Sequence, residues 1–546
     1  MTHQATSSGD APDLSPDRQA LGGTKQAKPR GASLSVTSKA AWAVMLVFLP
    51  ILIQAVFQLK LLVQYIFVRN DATYPEGVTV YALLRAFHTH RIYTQPFDFP
   101  WNAQMYGPFL YLTGILCTGI AGGEPTVTTV LMRALSFASY LGTVAIVSYL
   151  GWRLEGQRRW VPVVAILGLA CTWAMPYAST ARGDLPSIFL ILAAVAVIDV
   201  AEGRSWFYFW AGVLASLSCL TKQNTAPLLL AVLLDRLLAK KYKEAAIFVF
   251  GAAAVAAPIL GLMEFWNEPF RANYTIVGKA VMDWPSTPHV AIGILAMNEM
   301  AVVPLFVALL GVGSRWGSRR YRAILLVIAF GVLSNVAALA NTGGSANYFI
   351  LPWFLCLLLV PAGLQQLEKW SDRSLLVPGS LILLSLFLLI HQKYLLLRQP
   401  PADLDASVLG NLTVLSDVPY LELRTLRPQL LDPYFYNQLS QQRQWSDAPI
   451  RHGIDSEVYD LVLLTGIDSN SGPAFVVRDF RGTSYWGTEV LQEMMLHYKV
   501  LCDMSDHLAL VPRGGTSSLR KADIEGIFHE SCHAADPRLE VASGSH

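Results

Sequence analysis

The sequence predicts a polytopic α-helical membrane protein with a small α/β domain at its C-terminal end. Of its 546 residues, 53% are hydrophobic and only 15% are charged, whereas about a quarter of the residues in an ordinary soluble protein are charged. Apolar runs whose lengths are close to the ~20 residues needed to cross a bilayer follow one another from residue 41 to residue 392 and then stop. The near-zero net charge of +2 argues against a nucleic-acid partner.

The first 40 residues are rich in Ser, Gly, Pro and basic residues and contain almost no aromatic ones. Such a segment cannot bury enough apolar surface to fold, so we expect residues 1–40 to be a disordered cytoplasmic tail. The apolar run that follows has no convincing cleavage site. We therefore interpret residues 41–67 as an uncleaved first span and not as a signal peptide.

A polar, aromatic-rich stretch, residues 67–125, follows the first span. It contains a helical run from Val78 to Phe87 and then a passage rich in Pro, Trp and Tyr that cannot be a span. The apolar run 107–122 is short, so a span and an interfacial helix are both open from its length alone. We expect the stretch to form a first extracytoplasmic loop whose helices lie on the membrane.

The distribution of basic residues favours the interfacial alternative for 107–122. If that run does not cross, the later spans are expected at 126–151, 161–178, 185–201, 205–220, 224–239, 245–265, 290–312, 322–341, 346–364 and 374–392. With this count the loops rich in Lys and Arg all fall on one side, which is the cytoplasmic side by the positive-inside rule. Counting 107–122 as a span would invert everything after it, so we predict about eleven spans, in a transmembrane domain of residues 41–395.

Beyond residue 395 the pattern changes to short strands and a helix, which predicts a small extracytoplasmic α/β domain over residues 396–512. Strands are expected at Leu412–Ser416, Tyr459–Thr465, Ala474–Val477, Val500–Cys502 and Leu508–Val511, with a helix at Gly487–Tyr498. Residues 513–546 are expected to be a C-terminal tail.

The six cysteines are scattered singly and show no zinc-binding spacing. Four of them lie in apolar runs, where Cys behaves as a small hydrophobic residue. Cys502 and Cys532 lie in the polar C-terminal region and could pair if that region is extracytoplasmic, although spacing alone does not establish a disulfide.

The polar residues that are hardest to explain structurally all fall on the predicted outer side. Asp71 and Glu76 come first, just before a helical run. A carboxylate at a site can accept or orient a proton of a bound substrate, which makes both residues catalytic candidates. The alternative is that they stabilise the N-terminus of the helix, where acids are favoured.

Three more charged residues lie at the outer boundaries of predicted spans, where a charge normally faces water or a cavity. Arg182 and Asp184 precede one span, and a simple salt bridge between them is the structural alternative. Arg133 lies just inside the outer end of the second span. It is a candidate for contact with substrate or for pairing with an acid.

Two further outer loops contribute polar candidates. Lys222 could meet a phosphate as a point charge or extend to lipid headgroups, and Gln223 follows it. Asn347 and Tyr348 end a glycine-rich turn that is either a tight loop or part of a site. Tyr106 could stack on a sugar or belong to the aromatic belt of the membrane interface.

In order, these segments resemble the outer-face motifs of one superfamily. They are Asp71 with Pro75-Glu76, Tyr106-Gly107-Pro108, Arg133, Arg182-Gly183-Asp184, Thr221-Lys222-Gln223 and Asn347-Tyr348-Phe349. The pattern, over about residues 41–395, resembles the GT-C glycosyltransferases, especially the family-39-like branch of protein mannosyltransferases and the lipid A aminoarabinose transferase. The first loop of that family usually carries an Asp-Glu pair, and Pro75 here precedes the glutamate. Which carboxylate acts as the base is therefore open.

The resemblance implies an enzyme of the inner (plasma) membrane that transfers a sugar from a polyprenyl-phosphate donor to an extracytoplasmic glycan, lipid or protein, with inversion. Glu76 or Asp71 would be the base, and Asp184 would hold the acceptor or a divalent cation. Lys222, Arg182 and Arg133 would balance the departing phosphate, and Gln223, Tyr106, Asn347 and Tyr348 would contact substrate. No closed ligand set indicates a metal, so we predict no cofactor firmly and leave a divalent cation open.

Two other classes of function are weighed against the enzyme. A transporter or flippase for a lipid-linked saccharide would place ionisable groups near the bilayer midplane and would use broken helices. Here these groups gather at one interface. A non-catalytic scaffold would use the C-terminal domain to bind partners.

Overall fold

The computed structural model describes residues 46–71, 76–201, 204–266, 269–276, 282–296, 301–315, 319–340, 346–371, 376–391, 403–425, 429, 432–465, 486–504, 507–515 and 518–533. These residues form a helical body up to residue 391 and a C-terminal domain from residue 403 to residue 533. The predicted tail 1–40 and the predicted strand at 474–477 lie outside the described residues.

The helical body consists of α-helices joined mostly by short turns. Its helices are Leu49–Phe67, Glu76–Thr89, Pro108–Ile120, Pro125–Glu155, Val161–Leu169, Asp184–Val200, Ser205–Thr221, Ala226–Leu238, Tyr242–Trp266, Phe270–Ile276, Thr287–Ala296, Val302–Arg315, Arg319–Leu339, Ile350–Leu357, Val360–Ser371 and Leu376–His391.

Several of these helices suit a bilayer. Among the described residues, four are long and apolar enough to cross a membrane: Leu49–Phe67, Pro125–Glu155, Tyr242–Trp266 and Tyr321–Leu339. The pair Ala346–Leu357 and Val360–Trp370, bent by 55°, adds a fifth if it is one span. The protein is therefore a multi-pass membrane protein, and the count of eleven spans stays a prediction.

Two predicted spans are not continuous helices among the described residues. The run 346–364 is divided between Ile350–Leu357 and Val360–Ser371, and the run 161–178 departs further from a single helix. The segment 161–178 begins as the helix Val161–Leu169, but residues 170–183 form successive turns. Pro176 cannot continue a helix, because it lacks the N–H that would bond to the preceding turn. In addition, the Ser179 hydroxyl donates to the carbonyl of Leu62 at 2.8 Å, which holds this segment against the first helix. The prediction of one helix over 161–178 is therefore wrong.

The loop after the first helix contains two short helices, Glu76–Thr89 and Pro108–Ile120. At 14 and 13 residues they are shorter than the ~20 residues of a typical span. They pack closely, since a Cβ at Gly114 would lie only 2.4 Å from a methyl carbon of Leu83. These lengths agree with interfacial helices, and their position on a membrane stays a prediction.

The C-terminal domain is built on a four-stranded sheet of order β1-β2-β4-β3. The strands are β1 Val414–Ser416, β2 Leu461–Thr465, β3 Tyr498–Asp503 and β4 His507–Pro512. β1 and β2 are parallel, and β4 runs antiparallel to both β2 and β3. Helices Pro419–Glu422, Pro433–Gln441, Ala448–Asp455, Thr488–His497 and Lys521–Phe528 accompany the sheet.

Apolar side chains cover both faces of the sheet. Along β2, Val462 and Leu464 lie in one hydrophobic cluster, and Leu461 and Leu463 lie in another. Successive side chains of a strand point to opposite faces, so β2 is buried on both sides. The strands predicted at 412–416, 459–465, 500–502 and 508–511 are thereby confirmed within a residue or two.

The fold continues past residue 512, where a tail was expected. Ile524, Ile527 and Phe528 of the helix Lys521–Phe528 are buried against the sheet. Cys502 and Cys532 form a disulfide with an S–S distance of 1.98 Å, and Cys532 lies four residues after the helix. The expected tail is therefore wrong for residues 518–533. Its helix has apolar residues at the i, i+3, i+4 spacing of one helical face.

The C-terminal domain contacts the first loop of the helical body. The N–H of Trp101 donates to the carbonyl of Gln429 at 3.2 Å, and the Tyr436 hydroxyl donates to the carbonyl of Pro96. At the start of the domain, the N–H of Leu404 donates to the carbonyl of Arg69 at 3.0 Å. The domain therefore lies on the side of the helical body that carries this loop.

Candidate active site

The turns of residues 170–183 bring an acid to the start of a helix. Asp184 is the first residue of the helix Asp184–Val200, a position that favours a carboxylate because the helix dipole is positive there. Ser136 fixes the turn by donating its hydroxyl to the carbonyl of Thr180 at 2.6 Å. A Cβ at Gly183 would lie 3.2 Å from the carbonyl oxygen of Thr221, so this turn closely approaches the end of the helix Ser205–Thr221.

That approach assembles a charged group, which we call the Asp184 cluster: Arg182, Asp184, Lys222 and Asn347. One carboxylate oxygen of Asp184 accepts from Lys222 Nζ and, at 2.8 Å, from Asn347 Nδ2. The other accepts from Arg182 Nε at 3.0 Å. The carboxylate is only 2% exposed, so it is fixed by partners from three separate segments. The structure thus brings together four of the predicted site residues.

The Asp184 cluster carries one positive charge in excess, because two cations surround one carboxylate. The Arg182 and Lys222 side chains are each 11% exposed. Arg182 lies over the ring of Tyr177 at 5.1 Å, and Lys222 lies over the ring of Tyr348 at 5.1 Å. A partly enclosed group with excess positive charge is suited to an anion such as a phosphate.

The extended segment 101–106 passes beside the Asp184 cluster. Gln223 donates its Nε2 to the carbonyl of Met105 at 3.2 Å, and Tyr93 donates its hydroxyl to the carbonyl of Tyr106 at 3.0 Å. Burial raises the pKa of the Tyr106 phenol, and the nearby charge of Arg182 opposes this rise. The structure therefore brings Tyr106 and Gln223 to the same site as Asp184, as the sequence predicted.

Several residues that support the site were not among the predicted ones. Tyr177 contacts Arg182, as described above. Asn224 donates its Nδ2 to Asn335 Oδ1 at 3.5 Å, and Asn335 donates to the carbonyl of Gly331 at 2.7 Å. An amide within an apolar helix is a signal of such a role, and Asn335 carries that signal. No such signal marks Tyr177 in the sequence, because aromatic residues are common at membrane interfaces.

Glu76 and Arg133 form a separate, fully enclosed pair. Arg133 Nε and Nη2 donate to the two Glu76 oxygens at 2.8 and 2.6 Å, and both side chains are at most 1% exposed. Arg133 also donates to the carbonyls of Tyr65, Val68 and Asn70. The pairing of Arg133 with an acid, one of the two alternatives that the sequence left open, is thus the one observed.

The Glu76–Arg133 pair touches the Asp184 cluster through the backbone. The N–H of Ala181 donates to Glu76 Oε1 at 2.7 Å, and Ala181 directly precedes Arg182. The pair therefore fixes the turn from which Arg182 extends, at the point where the first helix, the loop and this turn meet.

Asp71 lies between the loop and the C-terminal domain. Its two oxygens accept from the N–H groups of Gly77 and Tyr420, both at 2.8 Å. The hydrogen bond from Gly77 matches the alternative role that the sequence left open for Asp71, which is to stabilise the N-terminus of the helix Glu76–Thr89. Burial, followed by the neighbouring charge of Glu76, raises the pKa of the Asp71 carboxyl to about 7.

Among the described residues, no three His, Cys, Asp or Glu side chains are arranged to hold a metal ion. A divalent cation at Asp184 stays an open prediction.

The sequence matches no family model and no curated protein. Among solved structures, it is similar to apo ArnT from Cupriavidus metallidurans, with 11% identity over 88% of this chain and 99% of that chain and a TM-score of 0.42. It is also similar to the apo oligosaccharyltransferase of Archaeoglobus fulgidus, with 13% identity over 88% of this chain and 76% of that chain and a TM-score of 0.48. ArnT bound to undecaprenyl phosphate has 11% identity, coverage of 88% and 100%, and a TM-score of 0.40.

Both of these proteins are membrane glycosyltransferases of the GT-C superfamily, the superfamily that the sequence resembles. Since the identities are 11% to 13% and the TM-scores are below 0.5, the argument for function comes from the side chains of the site.

Proposed function

We propose that this protein is a GT-C-like membrane glycosyltransferase that moves a sugar from a polyprenyl-phosphate donor to an acceptor on the extracytoplasmic side of the membrane. The observation that carries the proposal is the Asp184 carboxylate held between Arg182 and Lys222 at the start of a helix. This arrangement combines an acid that can orient an acceptor with cations that suit a phosphate.

In the proposed reaction, an oxygen of the acceptor forms a bond to the anomeric carbon of the sugar while the bond from that carbon to the phosphate oxygen breaks. The electron pair stays on the departing phosphate, which gains negative charge. Arg182 and Lys222 would stabilise that charge, since fixed cations act most strongly where charge develops in a partly dry site. Attack from the face opposite the phosphate inverts the anomeric carbon.

The proton of the acceptor hydroxyl must pass to a base. Asp184 is a poor base because two cations stabilise its ionised form. Glu76 is enclosed with Arg133. Asp71 is half-buried and has a pKa of about 7, near the range that suits a general base. We therefore assign Asp184 to orienting the acceptor and the two cations and keep Asp71 as the remaining candidate for the base. In this structure the two Asp71 oxygens accept from the N–H groups of Gly77 and Tyr420.

The remaining predicted site residues would contact the substrates. Asn347 holds Asp184 by its amide, and Tyr348 lies beneath Lys222. Tyr106 and Gln223 would bound the site on the side of the segment 101–106. Asp184 begins one helix and Lys222 follows the end of another; the predicted topology puts both at the outer interface, whereas a transporter would place its ionisable groups near the bilayer midplane.

The proposed location is the inner (plasma) membrane, with the site on the extracytoplasmic face. Two observations support this side. The C-terminal domain, which contacts the loop of the site, contains the Cys502–Cys532 disulfide, and disulfides persist mainly in oxidising compartments. In the predicted topology the basic loops fall on the opposite side, as the positive-inside rule requires of cytoplasmic loops.

The proposal is tested by sugar transfer in proteoliposomes with radiolabelled polyprenyl-phosphate sugars and a membrane extract as acceptor. We expect Asp184→Asn and Lys222→Met to lower the transfer rate by ~100-fold or more, since each removes a fixed charge from the site. Asp199→Asn, at the other end of the same helix and paired with Arg153, is the control. Wild-type transfer by Asp184→Asn would contradict the proposal. So would labelled lipid that changes leaflet at the wild-type rate in all variants without forming product.

A further inference from the structure

The C-terminal domain contains a cleft that lies apart from the Asp184 cluster. It lies between the helix Pro433–Gln441, the start of the helix Ala448–Asp455 and the start of the helix Thr488–His497. The cleft is shallow: about 270 Å³ of empty space lies within it, a figure that includes open solvent at its mouth, so a bound group would rest partly in solvent. Its lining includes Asn437, Ser440, Trp445, Asp447, Trp486 and Val490. We call it the Trp445 cleft.

Two indole rings of the cleft are fixed in position. Trp486 is 5% exposed and donates its Nε1 to Asp417 Oδ2 at 3.3 Å. Trp445 is half-buried, and the rings of Trp101 and Tyr436 meet it at 72° and 67° with centroids 5.7 and 5.0 Å away. Neither neighbouring ring lies parallel to Trp445, so its orientation is set by edge contacts and not by stacking.

Polar groups accompany these rings. Asn437 is buried, and its Oδ1 accepts from Gln441 Nε2 at 3.4 Å. Asp447 lies at the start of the next helix, where its carboxylate accepts from Arg451 Nε at 3.2 Å. Arg451 in turn pairs with the exposed Glu489 at 3.0 Å. The cleft thus combines aromatic surface with an amide, a hydroxyl and a carboxylate.

We propose that the Trp445 cleft binds one sugar unit of a neutral oligosaccharide. A pyranose presents a flat face of C–H groups, which packs on an indole, and a rim of hydroxyls that both donate and accept hydrogen bonds. Carboxylate and amide side chains match such hydroxyls, and small-molecule sites typically combine apolar walls with a few such groups. Among the described residues, Asp447, which lines the cleft, and Glu489 beside it both pair with Arg451, a balance that disfavours anionic glycans.

The cleft is connected to the proposed active site by a short piece of chain. Trp101 contacts Trp445, and five residues later Tyr106 borders the Asp184 cluster. Five residue steps span at most ~18 Å even when fully extended. This inference rests on the proposed function. The cleft would hold a distal sugar of an acceptor glycan while the acceptor's reacting end reaches Asp184.

The test is titration of the full-length protein in nanodiscs with neutral tetrasaccharides of glucose, galactose, mannose and arabinose, followed by saturation-transfer NMR. We expect at least one to bind, and Trp445→Ala to weaken that binding by ~tenfold or more, as for a buried aromatic anchor. Trp445→Phe keeps a ring in the core, and Asp447→Asn keeps the side-chain volume. Both are expected to weaken binding less than Trp445→Ala does.

The chain offers matched controls. Trp206→Ala removes a 56% exposed indole of the helical body, and Asp455→Asn removes a carboxylate at the far end of the helix Ala448–Asp455. Neither should change binding. No binding of any tetrasaccharide to the wild type, or equal binding to wild type and all Trp445 and Asp447 variants, would overturn the inference.

The failure of this inference is distinguishable from failure of the proposed function. Asp184→Asn should still bind the tetrasaccharide while losing transfer. Trp445→Phe should raise the KM for an oligosaccharide acceptor and leave kcat unchanged. If the cleft binds no saccharide but transfer is lost in Asp184→Asn, the inference is wrong and the proposed function stands.

Discussion

Two buried acids of this protein differ in the way their charge is compensated. Asp184 meets two cations that are each 11% exposed. Glu76 meets Arg133 in a pair that is sealed from solvent on both sides. The first arrangement can rearrange around a ligand, whereas the second is complete without one. We therefore assign the two acids different tasks, binding for Asp184 and support of the neighbouring turn for Glu76.

The supporting role of Glu76 predicts a stability effect. Glu76→Gln leaves the Arg133 guanidinium buried without a counter-charge, which typically costs ~3–5 kcal/mol. We expect the thermal unfolding midpoint in detergent to fall clearly. The double variant Glu76→Gln/Arg133→Met should recover part of that loss, because no isolated charge remains.

The matched control for this prediction is the partly exposed pair of Arg153 and Asp199. Asp199→Asn should cost only ~0–1 kcal/mol, since solvent screens exposed pairs. If Glu76→Gln instead abolished transfer with an unchanged unfolding midpoint, Glu76 would be the catalytic base and its assignment as a supporting residue would be wrong.

The identity of the site residues was easier to predict than their partners. Arg182, Asp184 and Lys222 could be found because charges at the ends of apolar runs need a reason. The salt bridge between Arg182 and Asp184 was one of the alternatives that the sequence left open, and it is observed. The distant partners could not be predicted, since Asn347 lies 163 residues from Asp184 and Arg133 lies 57 residues from Glu76. Such contacts depend on how the helices pack, which apolar patterning alone does not specify.

At the scale of elements, Asp71 joins the helix Glu76–Thr89 to the C-terminal domain through the N–H groups of Gly77 and Tyr420. Its pKa of about 7 in the folded protein is well above the ~3.9 of an unfolded chain. Between these values the unfolded chain has already lost its proton while the folded protein keeps it. The free energy of unfolding contributed by Asp71 therefore falls as pH rises from ~4 to ~7 and is level above.

The predicted fall in stability with rising pH is checked by thermal unfolding of wild type and Asp71→Asn between pH 5 and pH 8. The wild-type midpoint should fall with rising pH, and the slope should be smaller in Asp71→Asn, which cannot ionise. Asp417, whose pKa burial also raises to about 7, adds a contribution of the same sign. The double variant Asp71→Asn/Asp417→Asn should be flatter still. Parallel profiles for all three proteins would show that these acids do not carry the pH dependence.

A second element-scale prediction concerns the approach of two helix ends at Gly107. A Cβ there would lie 2.1 Å from the carbonyl oxygen of Leu220, two residues before Lys222. Because this neighbour is backbone, Gly107→Ala must displace one helix end, at a typical cost of ~1–3 kcal/mol. We expect a lower unfolding midpoint and, since Lys222 moves, transfer at least ~tenfold slower.

Gly119→Ala is the control for this substitution. Gly119 lies in the same helix, Pro108–Ile120, but its Cβ would meet only a ring carbon of Phe87 at 3.8 Å, an ordinary contact. Transfer and stability should stay at wild-type levels. Equal effects of the two substitutions would mean that the close approach at Gly107 is not what positions Lys222.

Helices were predicted correctly where a run of residues was both long and apolar. The prediction failed where polar residues interrupted the run. The runs 126–151 and 245–265 correspond to the long helices Pro125–Glu155 and Tyr242–Trp266. The run 161–178 does not correspond to one helix, because the helix ends at Leu169 and the turns that follow are held by contacts such as that of Ser179 with Leu62. Those turns present Arg182, so the error in the prediction falls at the candidate site.

At the scale of the whole molecule, the first loop, the turn of residues 170–183 and the C-terminal domain meet on one side of the helical body. Trp101, Asp71 and Tyr436 make the contacts between loop and domain, and Ala181 joins the turn to the same region through Glu76. The charge pattern of the sequence predicts the same sidedness without knowledge of these contacts. The agreement makes the orientation in the membrane a sharp test of the whole interpretation.

The orientation is tested by labelling single cysteines with a membrane-impermeant thiol reagent in intact cells, in a background where the four unpaired cysteines are changed to alanine. Ser446 is exposed in the C-terminal domain, and Lys243 is exposed in the first turn of the helix Tyr242–Trp266, within the basic stretch 240–243. Ser446→Cys should be labelled in intact cells, because its domain carries the disulfide and is expected outside. Lys243→Cys should be labelled only after permeabilisation, as the positive-inside rule requires. The reverse pattern would put the Asp184 cluster on the cytoplasmic side, and a donor displayed on the outer leaflet could not reach it.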